Sequence, residues 1–199
     1  MLIAIEGVDQ AGKATQAQLL QKYMVDNVGC DSTVLSFPDY DTPAGEVIKQ
    51  ALAENIEVSP HEMQLMHAAT RYHWKVAIEE ALEDGFTVIC DRYTESAVVY
   101  GTVFGLDTDW IHQVQRLLPQ PDLNILLNIP VELALQRKTK DRDKYESDVE
   151  LLTKVNNLYR MRAATLPKWV IVDGARPVQE VSQDVIKTVT HWSNYNGNN

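Results

Sequence analysis

Cysteine is scarce in this chain. Its two cysteines, Cys30 and Cys90, stand far apart and show none of the short spacings that bind zinc or cross-link a small secreted domain. Neither a disulfide framework nor a thiolate metal site is expected, and a reducing, cytoplasmic location suits the sequence. Positive charge is also in short supply, with 18 Lys and Arg against 28 Asp and Glu and a formal net charge of -10. That is the wrong sign for a nucleic-acid or anionic-membrane surface, where a basic face must displace counterions. Any bound phosphate must therefore be met by a few local cations. Long apolar runs are missing too: Leu2 to Ile5 is closed by Glu6, too short for a signal segment or a membrane span. No internal repeat, low-complexity linker or break in composition divides the 199 residues. The length then predicts one domain over 1–193, with a flexible polar tail over 194–199.

What is present is a regular alternation. Short apolar runs at 2–5, 33–37, 86–90, 123–129 and 169–172 read as strands, and segments of helical length lie between them. Continuous apolar strands suit a sheet covered on both faces, so the expectation is a doubly wound α/β fold with a mostly parallel sheet. Residues 60–83 read as one long helix with Met63, Met66, Thr70, Trp74 and Ile78 on a core-facing stripe, stopped at Asp84-Gly85. A charge-dense stretch, 137–148, mixes five cations with Asp141, Asp143, Glu146 and Asp148; pattern alone leaves it open between a solvated loop and something functional.

Three groups of residues carry chemistry. Gly7-Val8-Asp9-Gln10-Ala11-Gly12-Lys13 follows a strand and opens a helix, the setting of a phosphate-binding loop. There the glycines let successive backbone N–H groups point inward, the helix N-terminus adds partial positive charge, and Lys13 reaches the β and γ phosphates. Ala14 follows the lysine where Ser or Thr normally helps to hold Mg²⁺, and Thr15 stands one place later. Asp91-Arg92-Tyr93 ends the third strand, at the sheet edge where ligands bind in open parallel folds. Asp91 and Asp9 are the candidate carboxylates for Mg²⁺, and Arg92 is a candidate for phosphate. Phe37-Pro38-Asp39-Tyr40 should reach the same edge from the second strand. His67 and Arg71, four apart, project from one face of the long helix, where one can grip phosphate and the other stack on a base; a surface arginine and a core histidine are the plainer alternative.

Taken in order, these motifs resemble the thymidylate kinases, a family of P-loop nucleoside-monophosphate kinases, from Leu2 to about Val185. The resemblance rests on Ile5-Glu6-Gly7-Val8-Asp9 with Ala11-Gly12-Lys13, on Phe37-Pro38 with Gly45, on Asp91-Arg92-Tyr93 with Ser96 and Tyr100, and on Leu118-Pro119-Gln120-Pro121-Asp122. It implies a P-loop NTPase fold, a five-stranded sheet with helices on both faces and a short lid at about 138–148, and transfer of the γ-phosphoryl of ATP to dTMP with Mg²⁺. By position, Gly7, Val8, Gln10, Ala11, Gly12, Lys13, Ala14 and Thr15 would cradle ATP, and Arg137 would stack on its adenine. Arg71 and Arg92 would hold the phosphate of dTMP, with Asp9 near the transferring group. Phe37, Pro38 and Tyr40 would border the acceptor, Ser96 would contact thymine, and Tyr100 would lie under the deoxyribose. Asp143 and Tyr145 would close the lid. Because Gln10 gives the loop no cation, a lid cation must serve the transition state, with Arg142 first and Lys140 second. The resemblance also implies a homodimer, for which the helix face bearing Trp74 and Ile78 is one candidate.

The chain departs from the family pattern at Ala14, at Tyr40 where many members carry arginine, and at His67 where phenylalanine is usual. Other readings therefore stay open: a kinase for another deoxynucleoside monophosphate, a nucleotide-binding regulatory protein without transfer activity, or an ATPase that needs no acceptor.

Overall fold

The computed structural model describes residues 1–138 and 145–196. Strands β1 (Leu2–Glu6), β2 (Ser32–Ser36), β3 (Thr87–Asp91), β4 (Leu123–Asn128) and β5 (Trp169–Asp173) form one sheet in the order β2-β3-β1-β4-β5. The expected mostly parallel sheet is parallel throughout its described pairs. β1 lies at the centre, with Ile3 opposite Ile89 on one side and Leu123 on the other. All five of its residues are buried, which is why Leu-Ile-Ala-Ile shows no polar alternation.

The strand period of two sends alternate residues to opposite faces. Ile3, Ile5 and Ile89 pack in one core with Leu20, Val155 and Val185, whereas Leu2, Ala4, Val88 and Cys90 pack in another with Phe37, Ile78 and Tyr93. Each fully buried Leu or Ile contributes about 1.5–3 kcal/mol. Around the sheet stand α1 (Lys13–Tyr23), α2 (Pro43–Leu52), α3 (Pro60–His73), α4 (Lys75–Glu83), α5 (Thr94–Val103), α6 (Thr108–Gln115), α7 (Val131–Arg137), α8 (Val149–Thr165) and α9 (Val178–Asn196).

The predicted single helix over 60–83 is two helices. Its start is as expected: Ser59 caps the Glu62 N–H, the Glu62 carboxylate accepts from the Ser59 N–H, and Pro60 fills the first turn. At Trp74 the backbone turns to φ -93, ψ -2, and its N–H donates to the Arg71 carbonyl three residues back at 3.1 Å. Its indole donates to Asp39 Oδ2 at 2.7 Å, so a tertiary hydrogen bond holds the break. The break re-aims α4 so that Ile78 enters the core on β3. Ile78 is 1 % exposed and Trp74 half-buried, so they do not form the exposed face suggested above; Leu65 and Val76 are the exposed apolar residues here. At the other end, α9 continues to Asn196, three residues into the expected tail.

The connection order reverses at β1, whose neighbours β3 and β4 lie on opposite sides. This places the carboxyl ends of β1 and β3 side by side at the switch point where parallel α/β folds bind ligands.

Candidate active site

The loop after β1 is shaped by backbone conformations that glycine tolerates best. Gly7 has φ +142, and a Cβ there would stand 2.7 Å from the Leu127 carbonyl; Gly12 has φ +95. Lys13 opens α1, and its ammonium turns back to donate to the Val8 carbonyl at 3.0 Å, with Asp9 Oδ1 at 3.9 Å. At 6 % exposure this cation is poorly hydrated. Burial, then repulsion from Arg92, lower its pKa against the pull of Asp9, Asp91 and Glu6. An anionic ligand at the loop would stabilise it. Ala14 and Thr15 are exposed on the first turn of α1.

Two contacts tie the loop to the far side of the sheet. Arg137 Nη1 donates to the Gln10 carbonyl and Nη2 to the Gly174 carbonyl, both at 3.0 Å. Glu146, 9 % exposed, accepts from Gln10 Nε2 at 3.1 Å and from Lys138 Nζ at 2.5 Å. Arg142, Lys140 and Asp143 lie outside the described residues.

At the end of β3, Arg92 adopts φ +64 and donates through Nη2 to Asp9 Oδ1 at 2.6 Å. Its guanidinium carbon lies 5.5 Å from the centre of the Tyr100 ring, whose hydroxyl donates to Asp9 Oδ2 at 3.3 Å. Burial opposes the Asp9 charge, but Arg92 and Lys13 outweigh it and hold that carboxyl far below the usual range. Arg92 is correspondingly raised by Asp9 despite its burial. Asp91 differs from Asp9, since its Oδ1 is buried with no hydrogen-bond partner among the described residues.

Beneath these residues lies a network that sequence reasoning missed. Glu6, fully buried at the end of β1, accepts from the Tyr93 N–H at 2.8 Å, Ser96 Oγ at 2.6 Å and the Tyr159 hydroxyl at 2.9 Å. Burial raises its pKa, with the hydrogen bonds and Arg92 acting against that rise. A carboxylate closing an apolar strand was the available signal for Glu6. Tyr159, arriving from α8, had none.

A pocket opens beside the loop. Of the residues expected around the acceptor, Asp9, Phe37, Pro38, Tyr40, His67, Arg71, Arg92, Ser96, Tyr100 and Tyr145 all line it. Tyr145 leans on Phe104, with ring centres 5.1 Å apart. Arg71 is 2 % exposed, donates to Gln115 Oε1 at 3.2 Å and leaves a buried Nε without a partner among the described residues. Burial pulls its pKa down to about 10. His67 is pushed down to about 3 by burial and by the Arg71 and Arg92 charges, so it is neutral at pH 7. The pocket also takes Leu52, Gln64 and Phe104, which sequence reasoning did not single out, and Met63, which it read as core. The Ser96 hydroxyl, expected at the base, is engaged with Glu6 and Tyr159.

Buried cations in a phosphate-type loop and in the apolar and aromatic pocket beside it can hold phosphorylated ligands. Comparison with known proteins points the same way. A family profile described as thymidylate kinase matches residues 5–185. The chain is 35 % identical over 198 residues to a probable thymidylate kinase of Pyrococcus horikoshii, with 95 % of each covered. It is 30 % identical over 185 residues to the thymidylate kinase of Dictyostelium discoideum, covering 93 % of this chain and 82 % of that one. The solved thymidylate kinase of Candida albicans superposes with a TM-score of 0.80 at 26 % identity, over 96 % of this chain and 91 % of that one. From the loop after β1 to the arginines at the pocket, and on the strength of a match spanning most of its length, the chain belongs to the thymidylate kinase family.

Proposed function

We propose that the chain transfers the γ-phosphoryl of ATP to dTMP, giving dTDP and ADP. The observation that carries this reading is one pocket holding both Arg71 and Arg92, with Asp9 joining it to Lys13 in the phosphate loop. ATP lies along 7–13 with the Lys13 ammonium leaving the Val8 carbonyl for the β and γ phosphates. Arg71 and Arg92 take the acceptor phosphate, whose charge relieves the cost of burying them. Asp9 holds Arg92 in place, and positioning two anions while offsetting their repulsion supplies most of the acceleration. Arg142 serves as the transition-state cation, and Asp143 and Tyr145 close over the acceptor.

The described residues fit Mg²⁺, which takes one or two carboxylates plus phosphate oxygens and water. Both Asp9 oxygens are engaged by protein donors, so Asp91, whose buried Oδ1 has no partner among the described residues, is the better candidate to hold the metal. When bound, the metal neutralises charge on the β and γ phosphates. We further propose a homodimer, read by sedimentation, and a cytoplasmic location, read by fractionation.

The test is coupled ADP release from ATP-Mg²⁺ with dTMP, dUMP, dGMP or dCMP. A selective dTMP response is expected, and Lys13→Ala should lower kcat by at least about 10²-fold with an unchanged unfolding midpoint. ADP release that ignores every acceptor would refute the reading. A different acceptor base is the second reading, favoured by the polar His67 in place of an apolar ring, and the same panel decides it.

A further inference from the structure

Arg71 and Arg92 both line the pocket, but the protein holds them differently. Arg92 is ion-paired, with Asp9 Oδ1 at 2.6 Å from its Nη2. Arg71 makes no ion pair among the described residues, and its one hydrogen-bond partner there is a neutral carboxamide, Gln115 Oε1 at 3.2 Å. One of the two guanidinium groups therefore stands without a carboxylate beside it.

Gln115 is the last residue of α6 and is 4 % exposed. The other end of its side chain is engaged as well, for Nε2 donates to the Thr94 carbonyl at 3.3 Å. Thr94 opens α5, two residues past Arg92. The carboxamide fits only one way round, because the reverse orientation would set N–H groups against a guanidinium and an oxygen against a carbonyl. Glutamate in its place would satisfy Arg71, but it would turn an unprotonated oxygen to the Thr94 carbonyl and offset the charge of the arginine. An apolar residue would leave the buried guanidinium without a protein partner, which is costly. Glutamine anchors the guanidinium to the segment that follows Arg92 and adds no charge of its own. Relief of the buried cation is then left to an anionic ligand.

We propose that Gln115 is a positioning residue for the acceptor phosphate: it fixes the Arg71 guanidinium in register with Arg92 while leaving its charge to the ligand. This rests on the reading of Arg71 as a holder of that phosphate.

The test is calorimetry with dTMP and with thymidine, which differ only in the phosphate, on the wild type, Gln115→Met, Gln115→Glu and Arg71→Met. Dividing the two affinities within each protein cancels any loss of folded chain. The ratio of dTMP to thymidine affinity should fall about 10-fold in Gln115→Met, where the anchor is lost, and at least as far in Gln115→Glu, where a carboxylate competes with the phosphate. In coupled ADP release the KM for dTMP should rise with it, while the KM for ATP stays within about twofold. A ratio that falls in Arg71→Met and holds in both Gln115 variants overturns the proposal and leaves the reading of the site standing. Equal weakening of dTMP and thymidine by the Gln115 variants also overturns it, since a purely structural glutamine would act in that way. A ratio that Arg71→Met leaves unchanged fails the reading of the site and the proposal with it. Ratios that fall as expected in a chain that transfers no phosphate fail the kinase reading and keep Gln115 as the anchor.

Discussion

Acid should unfold this protein partly through His67. Its imidazole is pushed down to about 3 by burial and by the Arg71 and Arg92 charges, from 6.5 in an exposed histidine. Between those values the unfolded chain holds a proton that the folded chain lacks, so stability rises with pH across that window. Its contribution is complete above about 6.5, falls as pH drops, and is gone near 3. At pH 5 the distance below the unfolded value is about 1.5 pH units, worth about 2 kcal/mol at about 1.4 kcal/mol each. Because pH 5 lies well above the folded value, the unfolded value alone sets the loss. Solvent in the open pocket screens part of it, leaving about 1–2 kcal/mol against a typical total of about 5–15. Glu6, raised by burial, gives the opposite slope, but a comparison with His67→Phe cancels it. Urea unfolding of both proteins at pH 8 and pH 5 is the assay. The wild type should lose about 1–2 kcal/mol more than His67→Phe on acidification. An equal loss in both would refute the argument that His67 is held neutral by its surroundings.

Two further substitutions probe how the pocket is built. In Gly45→Ala the new Cβ would lie 1.8 Å from the Asp39 carbonyl oxygen and 2.7 Å from Tyr40 Cα, all backbone, so α2 or the 39–40 turn must shift. We expect a loss of about 1–3 kcal/mol in urea unfolding and a raised KM for the acceptor, and an unchanged KM would separate the turn from the substrate. Tyr159→Phe removes the hydroxyl that donates to Glu6 at 2.9 Å, leaving a fully buried carboxylate one donor short. It should cost about 1–3 kcal/mol, and unaltered stability would mean that Ser96 and the Tyr93 N–H suffice.

Much of this was legible in the chain because the relevant physics is local. Strands buried on both faces must be apolar throughout, so β1, β3 and β4 read directly, and a loop of glycines ending in Lys13 between a strand and a helix is a local backbone device. Helical spacing put His67 and Arg71 on one face of α3, and the family resemblance placed them at the site. Other features needed the fold. The break at Trp74 depends on a hydrogen bond to Asp39, thirty-five residues away, and no property of residues 70–78 announces it. Ser96 lines the pocket, and its hydroxyl also bonds Glu6 and Tyr159, an arrangement that exists only once β1, α5 and α8 meet. Gln64 was not singled out in the sequence, and its burial beside Gly101 of α5 exists only in the folded chain. The sequence by itself determined the element types, the phosphate loop and the cations, because periodicity and backbone chemistry act over a few residues. The tertiary structure decided which polar atoms are paired and which are left for a ligand, because pairing depends on groups that meet only after the sheet has formed.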